Sequence, residues 1–150
     1  MSLYEWLVLT HIVSAIIGMG PGFVLTRVTK SATTLPELRH GYTIKRQLHY
    51  FVMAGGTLLL ITGLWMGAIN PPLFQQGWYV ISLSLYLIAL AMGPTVLKWY
   101  SKPVKQLLEQ ATGEQITEEY HRLANKLYRV EYFENTLFIV IIILMITKPF

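Results

Sequence analysis

The sequence predicts an all-α integral membrane protein, a bundle of four membrane-spanning helices, and three observations carry that expectation. The chain of 150 residues is 53% hydrophobic and only 13% charged, with a mean hydropathy of +0.45, whereas a soluble domain carries about 25% charged residues. Its apolar residues come in long blocks rather than in alternating or amphipathic patterns. Four of these blocks, residues 4–26, 47–70, 77–97 and 130–147, contain no Lys or Arg, and each is close to the roughly 20 residues that cross a hydrocarbon core as an α-helix. No linker or low-complexity stretch divides the chain, so residues 1–150 read as a single transmembrane domain.

The first block opens without Lys or Arg, carries Glu5 and has no small-x-small cleavage pattern. It therefore reads as a retained span, not a signal peptide. Basic residues then set the topology. The first interhelical segment holds Arg27, Lys30, Arg39, Lys45 and Arg46 against Glu37 alone. The third holds Lys98, Lys102, Lys105, Arg122, Lys126 and Arg129, while the second, "INPPLFQQG", is uncharged. Positive-inside counting places both basic segments in the cytoplasm and both termini outside. The expected location is the inner (plasma) membrane, multi-pass. The formal charge of +4 sits at helix ends and does not point to nucleic acid. The first basic segment is polar over residues 29–41, with Pro36 expected to break it into a turn or short helix. In the other, apolar residues at Ile116, Tyr120, Leu123, Leu127 and Val130 follow a 3–4 spacing, so the fourth span is expected to run into the cytoplasm as one long helix.

An internal repeat is visible. Met19-Gly20-Pro21 returns as Met92-Gly93-Pro94, and Tyr50-Phe51 at the start of span two returns as Tyr132-Phe133 in span four. The order and direction are the same, so the two hairpins read as a parallel repeat about an axis along the membrane normal. Each proline withholds a backbone donor and frees the carbonyl four residues earlier. Bends at Pro21 and Pro94 are expected to open the cytoplasmic half of the bundle.

Ionisable residues inside spans are costly and usually face the bundle or a cavity, which singles out His11, His49, Glu131 and Glu134. His11 begins a stripe of small residues through Ser14, Gly18 and Gly22, a spacing that admits close approach of a helix or a flat ligand. On span two His49, Gly56 and Gly63 fall at heptad spacing. A histidine above a glycine groove suits a b-type haem, the imidazole supplying an axial ligand. The competing reading is a histidine that hydrogen-bonds between helices. His11 and His49 differ in height by roughly 15 Å, whereas trans-axial nitrogens lie about 4 Å apart, so they would not share one iron. A partner for His11 would be Met66 or Met145, or an open position. Glu131 and Glu134 read as an interfacial ion-pair cluster, or as a proton path or propionate anchor. Aromatic residues at the span ends, among them Trp6, Trp65, Trp78, Tyr79 and Trp99, read as interfacial belt, with Trp6 and Trp65 also able to border a porphyrin.

Other chemistries are absent. There is no cysteine and no aspartate, which removes disulfides, thiolate ligation and Asp-based triads. Phosphate-loop, dinucleotide and His-Glu-x-x-His motifs are missing too.

The stretch "YEWLVLTHIVSAIIGMGPGFVLTRV", the Gly63-Leu64-Trp65 end of span two and the Gly77-Trp78 start of span three resemble the small HemJ-type protoporphyrinogen oxidases and the related CopD-like membrane proteins. Met-Gly-Pro more closely resembles a further branch of predicted four-helix membrane proteins near that group. The resemblance implies haem b at His11. It also implies a lysine four residues after Trp78, where this chain has Ser82. The functional expectation is a membrane protein binding b-type haem with a redox or electron-transfer role, embedded in lipid, with a quinone or redox protein as partner and possible assembly as a homo-oligomer or complex subunit. The alternatives are a non-catalytic accessory or assembly protein and a small-molecule channel or carrier.

Overall fold

The computed structural model describes residues 2–150, and they form the expected helical bundle. Helix α1 is Leu3–Lys30, α2 Leu35–Ile69, α3 Gly77–Met92, α4 Lys98–Gln110 and α5 Glu118–Thr147. A 3-10 turn, Pro71–Gln75, joins α2 to α3, and a π-helical turn, Gly93–Leu97, joins α3 to α4. Taking α3, the π turn and α4 as one continuous rod, the described residues form four helices long and apolar enough to cross a membrane.

Caps fix where the rods begin. Ser2 and Glu5 close a capping box on α1, and Thr34 and Glu37 close another on α2. In such a box, hydroxyl and carboxylate each satisfy a backbone donor. The Thr33 backbone N–H, with further donors from Thr33 and Thr34, holds the Glu37 carboxyl below the usual carboxylate range. Thr117 accepts from the Tyr120 N–H to start α5.

The helices overrun the spans expected from hydropathy. α2 has 35 residues, about 52 Å at ~1.5 Å per residue, against a hydrocarbon core of about 30 Å. Pro36 does not break the chain after span one as expected. It sits in the first turn of α2, where a proline forfeits no helical hydrogen bond. The parts of α2, α4 and α5 on the side that the basic residues assign to the cytoplasm then build a core of their own from Leu35, Leu38, Val104, Leu108, Tyr120, Ala124, Leu127 and Tyr128. Arg39 of α2 donates to the carbonyls of Leu108 and Ala111 at 3.0 and 2.6 Å, placing a cation at the carbonyl end of α4. A chain of phenols runs through this core, Tyr42 to Tyr120 at 3.3 Å and Tyr120 to Tyr128 at 2.9 Å. Burial raises the Tyr42 and Tyr120 hydroxyls above the ordinary tyrosine value, so they stay protonated.

Within the membrane, α1 and α2 meet backbone to backbone. A Cβ on Gly18 would lie 2.7 Å from the Gly56 nitrogen and 2.9 Å from the Gly55 carbonyl carbon, so the glycines permit an approach that any side chain would forbid. α3 is tied to α2 by two phenols: Tyr79 donates to the Gly63 carbonyl at 2.9 Å, and Tyr86 to that of Gly56 at 2.8 Å. α5 reaches α1 near its cytoplasmic end, through Asn135 to the Gly22 carbonyl at 3.0 Å and Thr26 to Glu131 at 2.7 Å.

The repeated tripeptides keep matching environments. Met19 and Met92 are both buried, Gly20 and Gly93 both face open space, and both Tyr-Phe pairs are exposed. Their backbones differ, because α1 remains α-helical through Pro21 while Pro94 lies in the π turn. Nor is the cytoplasmic half the open one, as the prolines suggested. Side-chain bonds between α1 and α5 close it, and the space in the bundle lies in the outer half.

Gly18→Ala and Gly55→Ala are expected to destabilise the protein by about 1–3 kcal/mol, because backbone must move to admit the methyl. Gly20→Ala and Gly93→Ala should change stability by under about 1 kcal/mol in either direction, since no other helix is in the way and the helix preference of alanine is offset by crowding against the proline that follows each. Thermal unfolding of the four variants in mild detergent separates the two classes.

Candidate functional site

The space between the helices in the outer half is a cavity of about 430 Å³. α1 contributes His11, Ala15, Met19 and Gly20, α2 Leu59, Leu60 and Gly63, α3 Tyr79, Ser82 and Tyr86, and α5 Ile141, Ile142 and Met145. Its rim includes Ile16 and Ile146, which are 66% and 75% exposed and in a bilayer would face lipid. The cavity thus opens sideways between α1 and α5, above the point where Asn135 and Glu131 tie them together.

His11 is the basic group of this wall. Its Nδ1 lies 2.9 Å from the Thr62 hydroxyl, which itself lies 2.7 Å from the Leu58 carbonyl. A threonine hydroxyl has one proton, and that short contact uses it. With that proton committed, the contacts assign Nδ1 as the donor and Nε2 as the ring's acceptor. Gly63 makes the ring position possible, since a Cβ there would stand 3.2 Å from His11 Cε1. Among the described residues Nε2 has no hydrogen-bond partner, whereas the two phenols of the wall already donate to α2 carbonyls.

Ser82 is the second polar group. It is 0% exposed, and its hydroxyl is buried without a partner. Hydroxyls such as Thr10, Thr57, Ser84 and Thr95 bond the carbonyl four residues back, as helix-borne Ser and Thr commonly do. That of Ser82 does not.

Of the residues singled out in the sequence, the structure brings His11 and Gly63 together at the cavity. Met145 joins them, and the other candidates for the site lie elsewhere. Ser14 lines a separate shallow groove with Trp6 on the opposite side of the α1–α2 pair. Gly18 is consumed by the helix crossing, Gly22 by Asn135, whose Oδ1 would be 3.1 Å from a Cβ there, and Gly56 by the Tyr86 hydroxyl. His49 is exposed, 13 residues before Thr62 on α2 and so ~20 Å from the level of His11. Trp65 is 50% exposed, and neither it nor Met66 lines the cavity. Trp78 and Tyr79, read as interfacial belt, are instead buried. Thr62, Tyr79, Ser82 and Tyr86 escaped the site reading, because hydroxyl residues are unremarkable in an apolar helix until their neighbours are known. The one signal was the position of Ser82 at the resemblance's expected lysine.

A family model described as a predicted integral membrane protein (DUF2269) matches residues 5–149. The chain belongs to this family. No curated protein and no solved structure matches it. Among the described residues of this DUF2269 chain, no group of three or more His, Cys, Asp or Glu comes together to hold a metal ion.

A second polar cluster of this DUF2269 chain lies at the basic end of the bundle. Glu131 is buried, pairs with Lys45 of α2 and accepts from the Thr26 hydroxyl of α1. Three helices therefore meet on one carboxylate, the interfacial ion-pair arrangement that its sequence position suggests. Removing one partner of such a pair strands the other's charge, while removing both costs less. Lys45→Met is expected to cost about 2 kcal/mol, the pair being partly solvated. Lys45→Met combined with Glu131→Gln should recover at least half of that, as read by thermal unfolding of both variants.

Proposed function

We propose that the protein is a membrane-embedded binding protein whose site is the outer-half cavity. A small, largely apolar molecule enters from the bilayer between α1 and α5 and docks its polar end at His11. One observation carries this reading: an imidazole with its Nε2 unengaged stands in the wall of an otherwise apolar cavity. Intramembrane ionisable residues mark functional pathways by default, and the cavity's size falls within the 300–1,000 Å³ typical of small-molecule sites. A structural histidine bridging helices would need Nδ1 alone and no cavity beside it.

The finer reading is b-type haem with a redox or electron-transfer role. The tether supports it, since a metal-bound histidine usually donates its other ring N–H to a protein acceptor, as His11 does to Thr62. Met145, on the wall formed by α5, offers the thioether of a His–Met ligand pair. Bound there, a haem would supply one-electron chemistry, while His11 and Thr62 would fix its orientation and the aliphatic wall would limit water. Kinship with the HemJ-type and CopD-like proteins belongs to this reading, as does a quinone or redox protein as partner. Gly18, Gly22 and Gly56 lend it no room, being filled by neighbouring helices and side chains. Placement in the inner (plasma) membrane and assembly with further copies or subunits belong to the proposal also.

Protein purified in mild detergent tests both levels. Mass spectrometry of its organic extract should reveal a near-stoichiometric small molecule that is depleted in His11→Ala and in Leu60→Trp, which fills the cavity. Identical extracts from all three proteins would overturn the binding proposal. On the haem reading the purified protein shows a Soret band that His11→Ala abolishes. A protein that stays colourless after haem addition removes that reading and leaves the cavity to a colourless ligand.

A further inference from the structure

Two unengaged polar atoms, His11 Nε2 on the cavity wall and the Ser82 hydroxyl buried just behind it, make complementary demands. His11 Nε2 requires a donor. The Ser82 hydroxyl requires an acceptor for its proton and can accept in turn. Their heights can be compared through α2. Tyr79 reaches Gly63 and Tyr86 reaches Gly56, so seven residues of α3 match seven of α2 in antiparallel order, and Ser82 is level with Leu60. His11 is level with Thr62 and Gly63. Two residues along a helix correspond to ~3 Å. Both atoms therefore stand near one level of the cavity, His11 on α1 and Ser82 on α3. No Lys, Arg or Glu lines the cavity, so nothing there would balance a charged ligand.

We infer that the ligand of this cavity is a neutral, lipid-soluble molecule carrying a hydroxyl group, which donates to His11 Nε2 and accepts from the Ser82 hydroxyl while its apolar body extends toward the opening between α1 and α5. A carbonyl or ether could engage Ser82 alone, and a bare N–H could engage His11 alone. A hydroxyl answers both. The aliphatic rim at Ile12, Ile16 and Ile146 suits a hydrocarbon tail that remains partly in the bilayer. The inference rests on the proposal above that the cavity is a ligand site, and it competes with haem for the same nitrogen.

The test uses the full chain in lipid nanodiscs, with 4-hexylphenol, 4-hexylanisole, hexylbenzene and 1-nonanol titrated by calorimetry against empty nanodiscs. The phenol donates and accepts, the anisole only accepts, the hydrocarbon does neither, and the nonanol separates an aliphatic from an aromatic hydroxyl. At least one hydroxyl compound should bind about tenfold more tightly than the anisole and hexylbenzene, an effect of the size expected from the hydrogen bonds gained. The preference over the anisole comes from donation to His11 and should be lost in His11→Ala, whereas Ser82→Ala should weaken the hydroxyl compounds and the anisole and leave hexylbenzene unchanged. Ser82→Ala without ligand should melt at or above the wild-type temperature, because it deletes an unpaired buried hydroxyl. A lower melting temperature would show Ser82 serving the fold and would overturn the inference. Equal binding of all four compounds overturns the hydroxyl assignment alone. Binding of none above empty nanodiscs overturns the site as well, and a purified protein with haem on His11 overturns the assignment by occupying Nε2.

Discussion

The close approach of α1 to α2 at Gly18, Gly55 and Gly56 is the constraint on which the rest of the bundle depends. It sets the distance between the two helices and also their register. With Gly18 against Gly55 and Gly56, the antiparallel count places His11 opposite Thr62 and Gly63. The hydroxyl that accepts from Nδ1 and the missing side chain that admits the imidazole therefore arrive together. A bulkier residue at the crossing would shift both at once. Lipid offers little hydrophobic drive for helices to associate, so contact of this kind, with interhelical hydrogen bonds, must supply the cohesion.

Cohesion is distributed unequally along the bundle. At the cytoplasmic end Glu131 gathers α1, α2 and α5, Asn135 adds a bond to α1, and a water-facing core sits beyond the membrane. Toward the outer end α1 and α5 share no side-chain hydrogen bond among the described residues, and aliphatic side chains line the gap. The closed end holds the helices at fixed angles while the other end stays accessible from the side. That division suits a site which must accept a lipid-soluble molecule without loosening the fold.

Much of the fold was legible because its causes are local. Length and apolarity disclose a span whatever surrounds it, and the spacing of Tyr120, Leu123, Leu127 and Val130 disclosed the cytoplasmic run of α5. The extension of α2 was hidden behind Pro36, whose effect depends on whether it falls in the first turn or later. The capping signal Thr34-x-x-Glu37 would have settled that. The site was legible only in part. His11 stands out by type, but the stripe through Ser14, Gly18 and Gly22 admits a ligand or a helix equally, and only the tertiary arrangement decides that it is mostly a helix seam. Ser82 acquires meaning from what fails to bond it, a property no sequence spacing encodes.

The π turn at Gly93–Leu97 distinguishes the two copies of the repeated tripeptide. One extra residue in a turn rotates all that follows by about 100°. The buried stripe of α3 runs through Ser82, Tyr86, Ala89 and Met92, and the next inward-facing position is Leu97 rather than Val96. From there it continues through Tyr100 and Val104 to Leu108. The turn thus works as a phase adjuster between two environments. Its upstream face is cut to fit a bundle in lipid and its downstream face to fit a core in water, although one unbroken rod carries both. The first copy ends in a short link to α2 and has no second core to meet, so its proline could stay in phase. The same punctuation stands twice in the chain, and only the copy that had to re-aim a helix puts it to use.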